Sequence, residues 1–358
     1  MSRFLNKAYA GLHEYVPGEQ PQDMQYVKLN TNESPYPPSP AVLAAANARQ
    51  AELLRLYPDP TAAPLRAALA ARYGLAPQNV FIGNGSDEVL NFAFMAFAGG
   101  DTPAYFPDIS YGFYPVFAQL HGIQYTELPL RPDFTVSWQA YYGRDGMIVI
   151  ANPNAPTGLS LSVGAIEEIL RSNPDHVVLI DEAYVDFGCE SCAKLVAQYD
   201  NLLVVMTYSK SRSMAGARLG FALGNEALIA DLEKLKYSTN PYNISRLTLA
   251  CGEAALKEEA YYRAKCDEIM RTRAGTAEAL RQLGFTVLDS DANFLFAKSD
   301  AVDGETLYLQ LKARGVLVRH FTLPRIAQYD RITIGTPAQM EILLAAVRDI
   351  LKEREHEA

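Results

Sequence analysis

Five short, wholly apolar runs closed by polar residues constrain this chain more than any other feature. They are "NVFIG" (79–83), "MIVIANP" (147–153), "HVVLIDEA" (176–183), "NLLVVMTYS" (201–209) and "RLGFALG" (218–224). A strand exposed on one face alternates apolar and polar residues, whereas these runs do not, so they read as strands buried on both faces. Helical patterns at 86–98, 111–121 and 163–172 separate several of them. Alternation of that kind predicts a three-layer α/β/α architecture around a mostly parallel sheet. Ligands of such sheets lie beyond the carboxyl ends of the strands, so the polar residues closing each run are the ones to inspect.

The flanking segments read differently. Residues 1–40 are rich in Pro, Asn and Tyr and only weakly periodic, and are expected to form an extended arm. Ala/Leu periodicity from Pro40 to Arg55 predicts a helix that stops before "LYPDP". A long helical pattern from Ile244 to Leu283 precedes a strand–helix–strand–strand–helix order: "NFLFAKS", 304–314, "VLVRHF", "RITIGT" and 337–354. The expected division is an arm (1–40) joining the small domain or a dimer contact, a large domain (41–250) and a small α+β domain (251–358). A chain of 358 residues has room for two such cores.

Four run-closing segments carry groups with chemistry. "FIGNGSDEV" sets Gly85, Ser86 and Asp87 between a strand and a helix, where free N–H groups make an anion cradle; the same residues also make a good turn and N-cap. "ANPNAPTG" carries Asn154. "LIDEAY" carries Asp181 and Tyr184, and the apolar run before Asp181 predicts a carboxylate near the interior, facing a cation or a proton donor. "TYSKSRSMAGARLG" sets Lys210 between two serines, with Arg218 eight positions on; a lysine there is either a solvated strand-end charge or an amine made nucleophilic by its surroundings. Anion cradle, buried acid, phenol, amide and lysine together suit pyridoxal 5′-phosphate, whose aldehyde, ring nitrogen, ring oxygen and phosphate need those partners.

At this point the sequence resembles the fold-type I pyridoxal-phosphate aminotransferases of the aspartate aminotransferase superfamily, and within it the histidinol-phosphate aminotransferases. The resemblance runs through "YVPGEQP", "KLNTNESPYPPSP", "LYPDP", "GNGSDE", "PDISYGFY", "NPNAPTG", "IDEAYVDF", "TYSKSRSMAGARLG", "NPYN", "ANFLF" and "RITIGT". It implies that Lys210 tethers the cofactor, Asp181 keeps the ring nitrogen protonated and Tyr184 bonds the ring oxygen. It implies Tyr111 against the ring and Gly85, Ser86, Asp87, Ser209 and Arg218 around the phosphate. Tyr57 is implied to reach the phosphate of a neighbouring subunit, hence a homodimer with shared sites. Tyr15, Asn32, Tyr242, Asn243, Asn293, Arg319 and Arg331 are implied to line the substrate pocket. One departure stands out: the family's Asn before "PTG" is Ala155 here, and Asn154 is the expected substitute.

The implied reaction moves an amino group from histidinol phosphate to 2-oxoglutarate; an aromatic or broad-range aminotransferase, or a threonine-phosphate decarboxylase, is the alternative of the same fold. A net charge of −9 opposes general affinity for nucleic acid or acidic membranes. No apolar run nears a membrane span and no secretion signal is evident, so a cytoplasmic location is expected. Cys189 and Cys192 form a C-x-x-C without a second ligand pair, so no metal site is expected.

Overall fold

The computed structural model describes residues 2–357. Along the chain, β1 (Val27–Lys28) is followed by α1 (Pro40–Ala45), α2 (Ala48–Glu52), α3 (Ala63–Tyr73), β2 (Val80–Gly83) and α4 (Gly85–Phe97). Then come β3 (Ala104–Pro107), α5 (Phe113–Leu120), β4 (Tyr125–Leu128), β5 (Met147–Ala151), α6 (Val163–Ser172), β6 (Val178–Asp181), β7 (Leu202–Thr207) and β8 (Gly220–Gly224). The remainder is α7 (Glu226–Thr239), α8 (Arg246–Leu256), α9 (Glu259–Gln282), β9 (Phe285–Val287), β10 (Phe294–Ser299), α10 (Gly304–Ala313), β11 (Val316–Leu317), β12 (Arg319–His320), β13 (Asp330–Thr333) and α11 (Pro337–Glu357).

Seven strands form the main sheet in the order β2-β8-β7-β6-β5-β3-β4. Six run in one direction; β8 is antiparallel to both its neighbours, so the run "RLGFALG" turns back against the others. Successive residues feed opposite cores: Ile148, Ile150, Val178, Ile180, Leu202 and Val204 pack on one face, while Met147, Val149, Leu179, Leu203 and Val205 pack on the other. Each large apolar side chain buried in this way is worth about 1.5–3 kcal/mol. That is why the central strands have no polar face.

A second sheet, β12-β13-β10-β9, is antiparallel throughout. The arm's β1 pairs in parallel with β11, so the start of the chain is tied to elements from its far end. Helix α9 bridges the two cores: Tyr262 packs in the first, whereas Cys266, Ile269, Ala277 and Leu280 pack in the other. No helix among the described residues is long and apolar enough to cross a membrane.

Several expected elements differ in detail. The helix expected over Pro40–Arg55 is broken at Ala46 (ψ 63°), and Asn47 starts α2 by accepting from the Gln50 N–H. The helical pattern 244–283 is two helices, because Glu258 is non-helical (ψ 38°) ahead of α9. Strands β3 and β4 give no long apolar run: β3 has four residues ending at Pro107, and β4 is an edge strand with two exposed positions. α3, α7 and β9 carry no strong sequence signal, and "VLVRHF" divides into β11 and β12.

One packing constraint bears on the site. A Cβ on Gly220 would collide with the Ser86 backbone nitrogen and the Gly85 carbonyl, so β8 must lack a side chain for the start of α4 to lie on it. Gly275, by contrast, is exposed in mid-α9 with open space around it. Urea unfolding of the two alanine variants should therefore diverge. Gly220→Ala loses about 1–3 kcal/mol by overpacking, while Gly275→Ala gains about 0.5–1 kcal/mol by helix propensity.

Candidate functional site

The carboxyl ends of β5, β6 and β7 lie side by side, with Ala151, Asp181 and Val205 in register. Asp181 is the last residue of β6 and is only 5% exposed. Its Oδ2 accepts from the Tyr114 hydroxyl at 2.9 Å and its Oδ1 from the Ala183 N–H at 3.2 Å. Burial nevertheless pushes its pKa up to about 6, with the two hydrogen bonds pulling the other way. Neither partner carries a positive charge, so the carboxylate is held short of a cation.

Asp181 lines a cavity of about 340 Å³ together with Ser86, Asp87, Tyr111, Tyr184, Ser209, Lys210 and Arg218. These are eight of the residues singled out from the sequence. Thr31, Glu33, Ala151, Ala183 and Thr207 complete much of the wall. Lys210 follows β7 by three residues; its Nζ lies 3.2 Å from the Thr31 carbonyl and 5.6 Å from the centre of the Tyr184 ring. The Ser209 N–H donates to Thr207 Oγ1 (3.1 Å), and the Thr207 hydroxyl donates to Ser209 Oγ (3.0 Å), which fixes the serine.

Below Lys210 the start of α4 is uncapped. Asn84, at the N-cap, directs its amide to the Asn243 carbonyl (2.9 Å) instead of back onto the helix. The first-turn N–H groups therefore have no side-chain cap and face the cavity as an anion site. Gly85 has φ +77°, and a Cβ there would lie 2.6 Å from an Arg218 guanidinium nitrogen, so the guanidinium rests directly on the helix start. Arg218 in turn pairs with Asp87 Oδ2 at 2.7 Å, and the Tyr111 hydroxyl donates to Asp87 Oδ1 at 2.7 Å. Burial, together with that carboxylate, keeps Tyr111 a neutral phenol.

A second cavity, about 490 Å³, shares Thr31, Tyr111, Ala155, Tyr184 and Lys210 with the first. Tyr15, Asn32, Arg319 and Arg331 face it. Arg319 and Arg331 are direct cross-strand partners on β12 and β13. Like charges placed opposite one another on a sheet repel, so the pair favours an anion between or beside them. Arg319 donates to the carbonyls of Val16 and Pro17 (3.1 Å each), thereby clamping the arm, and Arg331 donates to the Asn30 carbonyl (3.0 Å). The Arg331 Nε is buried without a partner among the described residues, and burial lowers the pKa of that guanidinium, with Arg319 adding to the shift. Tyr15 stacks on Phe113 at 4.2 Å, which seats the arm against α5.

Five expected residues lie elsewhere. Asn154 is not the substitute for the missing amide: it is 1% exposed, its amide donates to the Ile109 carbonyl (3.0 Å) and Thr157 Oγ1 (3.2 Å), and its oxygen accepts from Ser110 (2.7 Å). Those bonds turn it away, and Ala155 takes the cavity wall. Asn243 lines neither cavity, because its amide is spent on Glu88 (2.5 Å). Asn293 is fully buried and holds the Asn32 carbonyl (3.0 Å) instead of a ligand. Tyr57 and Tyr242 stack on each other at 4.5 Å on the surface, outside both cavities of this chain. Tyr114 was missed, although it lies three residues after Tyr111, a spacing that puts both on one side of a helical turn.

The cavity fits the cofactor that the sequence resemblance implies. An uncapped helix start with Arg218 and Ser209 suits a phosphate, Asp181 suits a protonated ring nitrogen, and Lys210 suits an aldehyde.

The raised pKa of Asp181 makes the unloaded protein pH-sensitive. Between the ordinary carboxylate pKa and about 6, the folded form holds a proton that the unfolded chain has lost, so stability falls as pH rises through that window. Two pH units correspond to about 3 kcal/mol. Urea unfolding of unloaded Asp181→Asn from pH 4 to 7 should therefore show a loss with pH smaller by up to that amount. Parallel curves for the two proteins would contradict the burial argument.

The sequence profile of the aminotransferase class I and II family matches residues 24–347. Histidinol-phosphate aminotransferase 2 of Dechloromonas aromatica is 51% identical over 98% of this chain and 99% of its own length. Histidinol-phosphate aminotransferase of Marinomonas sp. is likewise 51% identical, over 98% of this chain and its full length. The crystal structure of histidinol-phosphate aminotransferase from Sinorhizobium meliloti in complex with pyridoxal-5′-phosphate shares the fold with a TM-score of 0.84, at 23% identity and 92% coverage of each chain. With a lysine, a buried acid and an anion cradle gathered at the strand ends, and with relatives matched from end to end, this chain belongs to the class I and II aminotransferase family.

Proposed function

We propose that the chain is a pyridoxal 5′-phosphate-dependent aminotransferase of histidine biosynthesis, converting L-histidinol phosphate and 2-oxoglutarate to imidazole acetol phosphate and L-glutamate. The observation that carries this reading is the cross-strand pair Arg319–Arg331 on a cavity that opens onto Lys210. Histidinol phosphate brings a phosphate and no carboxylate, while 2-oxoglutarate brings carboxylates; a pair of guanidinium groups serves both in turn. Relatives bearing that name at about half identity support the same substrate.

When bound, the cofactor supplies an electron sink for a substrate carbon that bears an amine. The chain's own groups do the rest. Arg218, Ser209 and the first-turn N–H groups of α4 would hold its phosphate. Asp181 would keep the ring nitrogen protonated, a positive charge that would in turn satisfy the buried carboxylate. Tyr184 would donate to the ring oxygen. Lys210 Nζ would hold the cofactor at its aldehyde carbon, and the same amine, when free of it, would be the general base that takes the proton from the amine-bearing substrate carbon. Tyr15 and the arm cover the second cavity and limit the entry of water.

The division into an arm (1–40), large domain (41–250) and small domain (251–358) belongs to this proposal, as does a homodimer with shared sites. Leu43, Leu54, Leu56, Tyr57 and Tyr242 are exposed apolar side chains, and we infer that a second copy covers them, with Tyr57 at that copy's phosphate site as the resemblance implies. Four free cysteines suit a cytoplasmic location.

Steady-state kinetics with L-histidinol phosphate, L-phenylalanine and L-glutamate tests the substrate. The expected order puts histidinol phosphate first, with Arg331→Gln lowering its kcat/KM about a hundredfold or more. Faster turnover of phenylalanine overturns the substrate, and release of CO2 from a phospho-amino acid overturns amino transfer. Light scattering of the same preparations should give twice 39.4 kDa; the monomer mass would rule out shared sites.

A further inference from the structure

The wall between the two cavities carries Ala155, a methyl group where a hydrogen-bond donor would face the ligand, and Asn154 beside it is turned away. Tyr184 lines both cavities at the same place. Its hydroxyl has one protein partner among the described residues: the Asn32 amide donates to it at 2.9 Å. An amide N–H on the phenol oxygen occupies a lone pair and repels the phenol's own proton. That proton has no acceptor among the described residues and is left for the cavity.

Asn32 is itself fixed at three points. Its backbone N–H donates to Thr333 Oγ1 (3.0 Å), its side-chain oxygen accepts from the Thr333 hydroxyl (3.0 Å), and its carbonyl accepts from the Asn293 amide (3.0 Å). With φ +55° and 1% exposure, Asn32 occupies a left-handed position that asparagine tolerates better than most side chains do. With its oxygen on the Thr333 hydroxyl, the side chain turns its amide N–H toward Tyr184.

We propose that Asn32 is a positioning residue for Tyr184: its amide aims the Tyr184 proton at the ring oxygen of the bound cofactor and so compensates for the donor that Ala155 lacks. This rests on the pyridoxal-phosphate reading above. Thr333, on β13, and Asn293, just before β10, set the aim by holding Asn32.

The test is the visible-absorption titration of the loaded enzyme, which reports when the nitrogen joining Lys210 to the cofactor loses its proton. Donors on the ring oxygen favour the deprotonated form, in which that oxygen keeps its whole negative charge, so a weakened donor raises the midpoint. Asn32→Gly removes the side chain yet keeps the left-handed backbone without strain. It is expected to raise the midpoint by about half a unit to one unit, the scale of one hydrogen bond to a charged group. Thr333→Val, which frees the amide to turn, should shift it in the same direction by less. Adding Ala155→Asn to Asn32→Gly places an amide on the wall beside Tyr184 and should bring the midpoint back toward the parent value. A lowered melting temperature with an unchanged midpoint in both single variants would mean a packing role only and would overturn the proposal. A parent enzyme that develops no visible band with pyridoxal phosphate would overturn it together with the cofactor reading.

Discussion

A carboxylate with no cation bonded to it, held at the end of a buried strand, is the constraint on which the rest of this structure turns. Asp181 sits in the middle of a seven-stranded sheet whose strands are packed on both faces. Leaving a charge there is costly, and the chain offsets it with a phenol, one N–H and the weaker pull of the Lys210 amine, which together do not overcome burial. The sheet therefore stores an electrostatic demand that a cationic ring nitrogen meets. Everything beside Asp181 makes sense as a means of bringing such a ring into register: the uncapped start of α4, the guanidinium of Arg218 lying over Gly85, and the amine of Lys210 in the same cavity.

The small antiparallel sheet answers a different demand. Two arginines opposed on β12 and β13 want an anion, and they also hold the arm by its carbonyls at Val16, Pro17 and Asn30. On the proposed function, substrate anchoring and arm placement draw on the same guanidinium groups. The arm is further bound by β1 against β11 and by Tyr15 on Phe113, so the chain's first thirty residues stitch the second sheet to the cavity rim. Two separate electrostatic needs, one for a cation at Asp181 and one for an anion at Arg319 and Arg331, lie in two cavities that share Ala155 and Tyr184.

Much of this was legible in the sequence because the central strands are buried on both faces and so appear as uninterrupted apolar runs. Asp181, Lys210 and Arg218 each stand just beyond or inside such a run, and the topology brings them together. What escaped was either short or decided by side-chain direction. β4 is an edge strand with a polar pattern, and α9 hides its boundary at Glu258 inside continuous helical periodicity. Asn154 had the right chemistry one residue from the right place, yet its turn spends both amide atoms on Ile109, Thr157 and Ser110. Tyr114 acts only through Asp181, and an apolar helix pattern absorbs a tyrosine without trace. Tyr57 and Tyr242 stack on each other at the surface, outside both cavities, so the fold of this chain gives them no place in its own site.

The most direct measurement of the central claim is the affinity of the unloaded protein for pyridoxal 5′-phosphate against its deaza analogue, in which carbon replaces the ring nitrogen. If the buried carboxylate of Asp181 is matched by that nitrogen's proton, the analogue binds at least about tenfold more weakly near neutral pH, since Asp181 must then stay unpaired or take up a proton of its own. Equal affinities for the two compounds would show that the charge at the end of β6 is not what the ligand is there to satisfy.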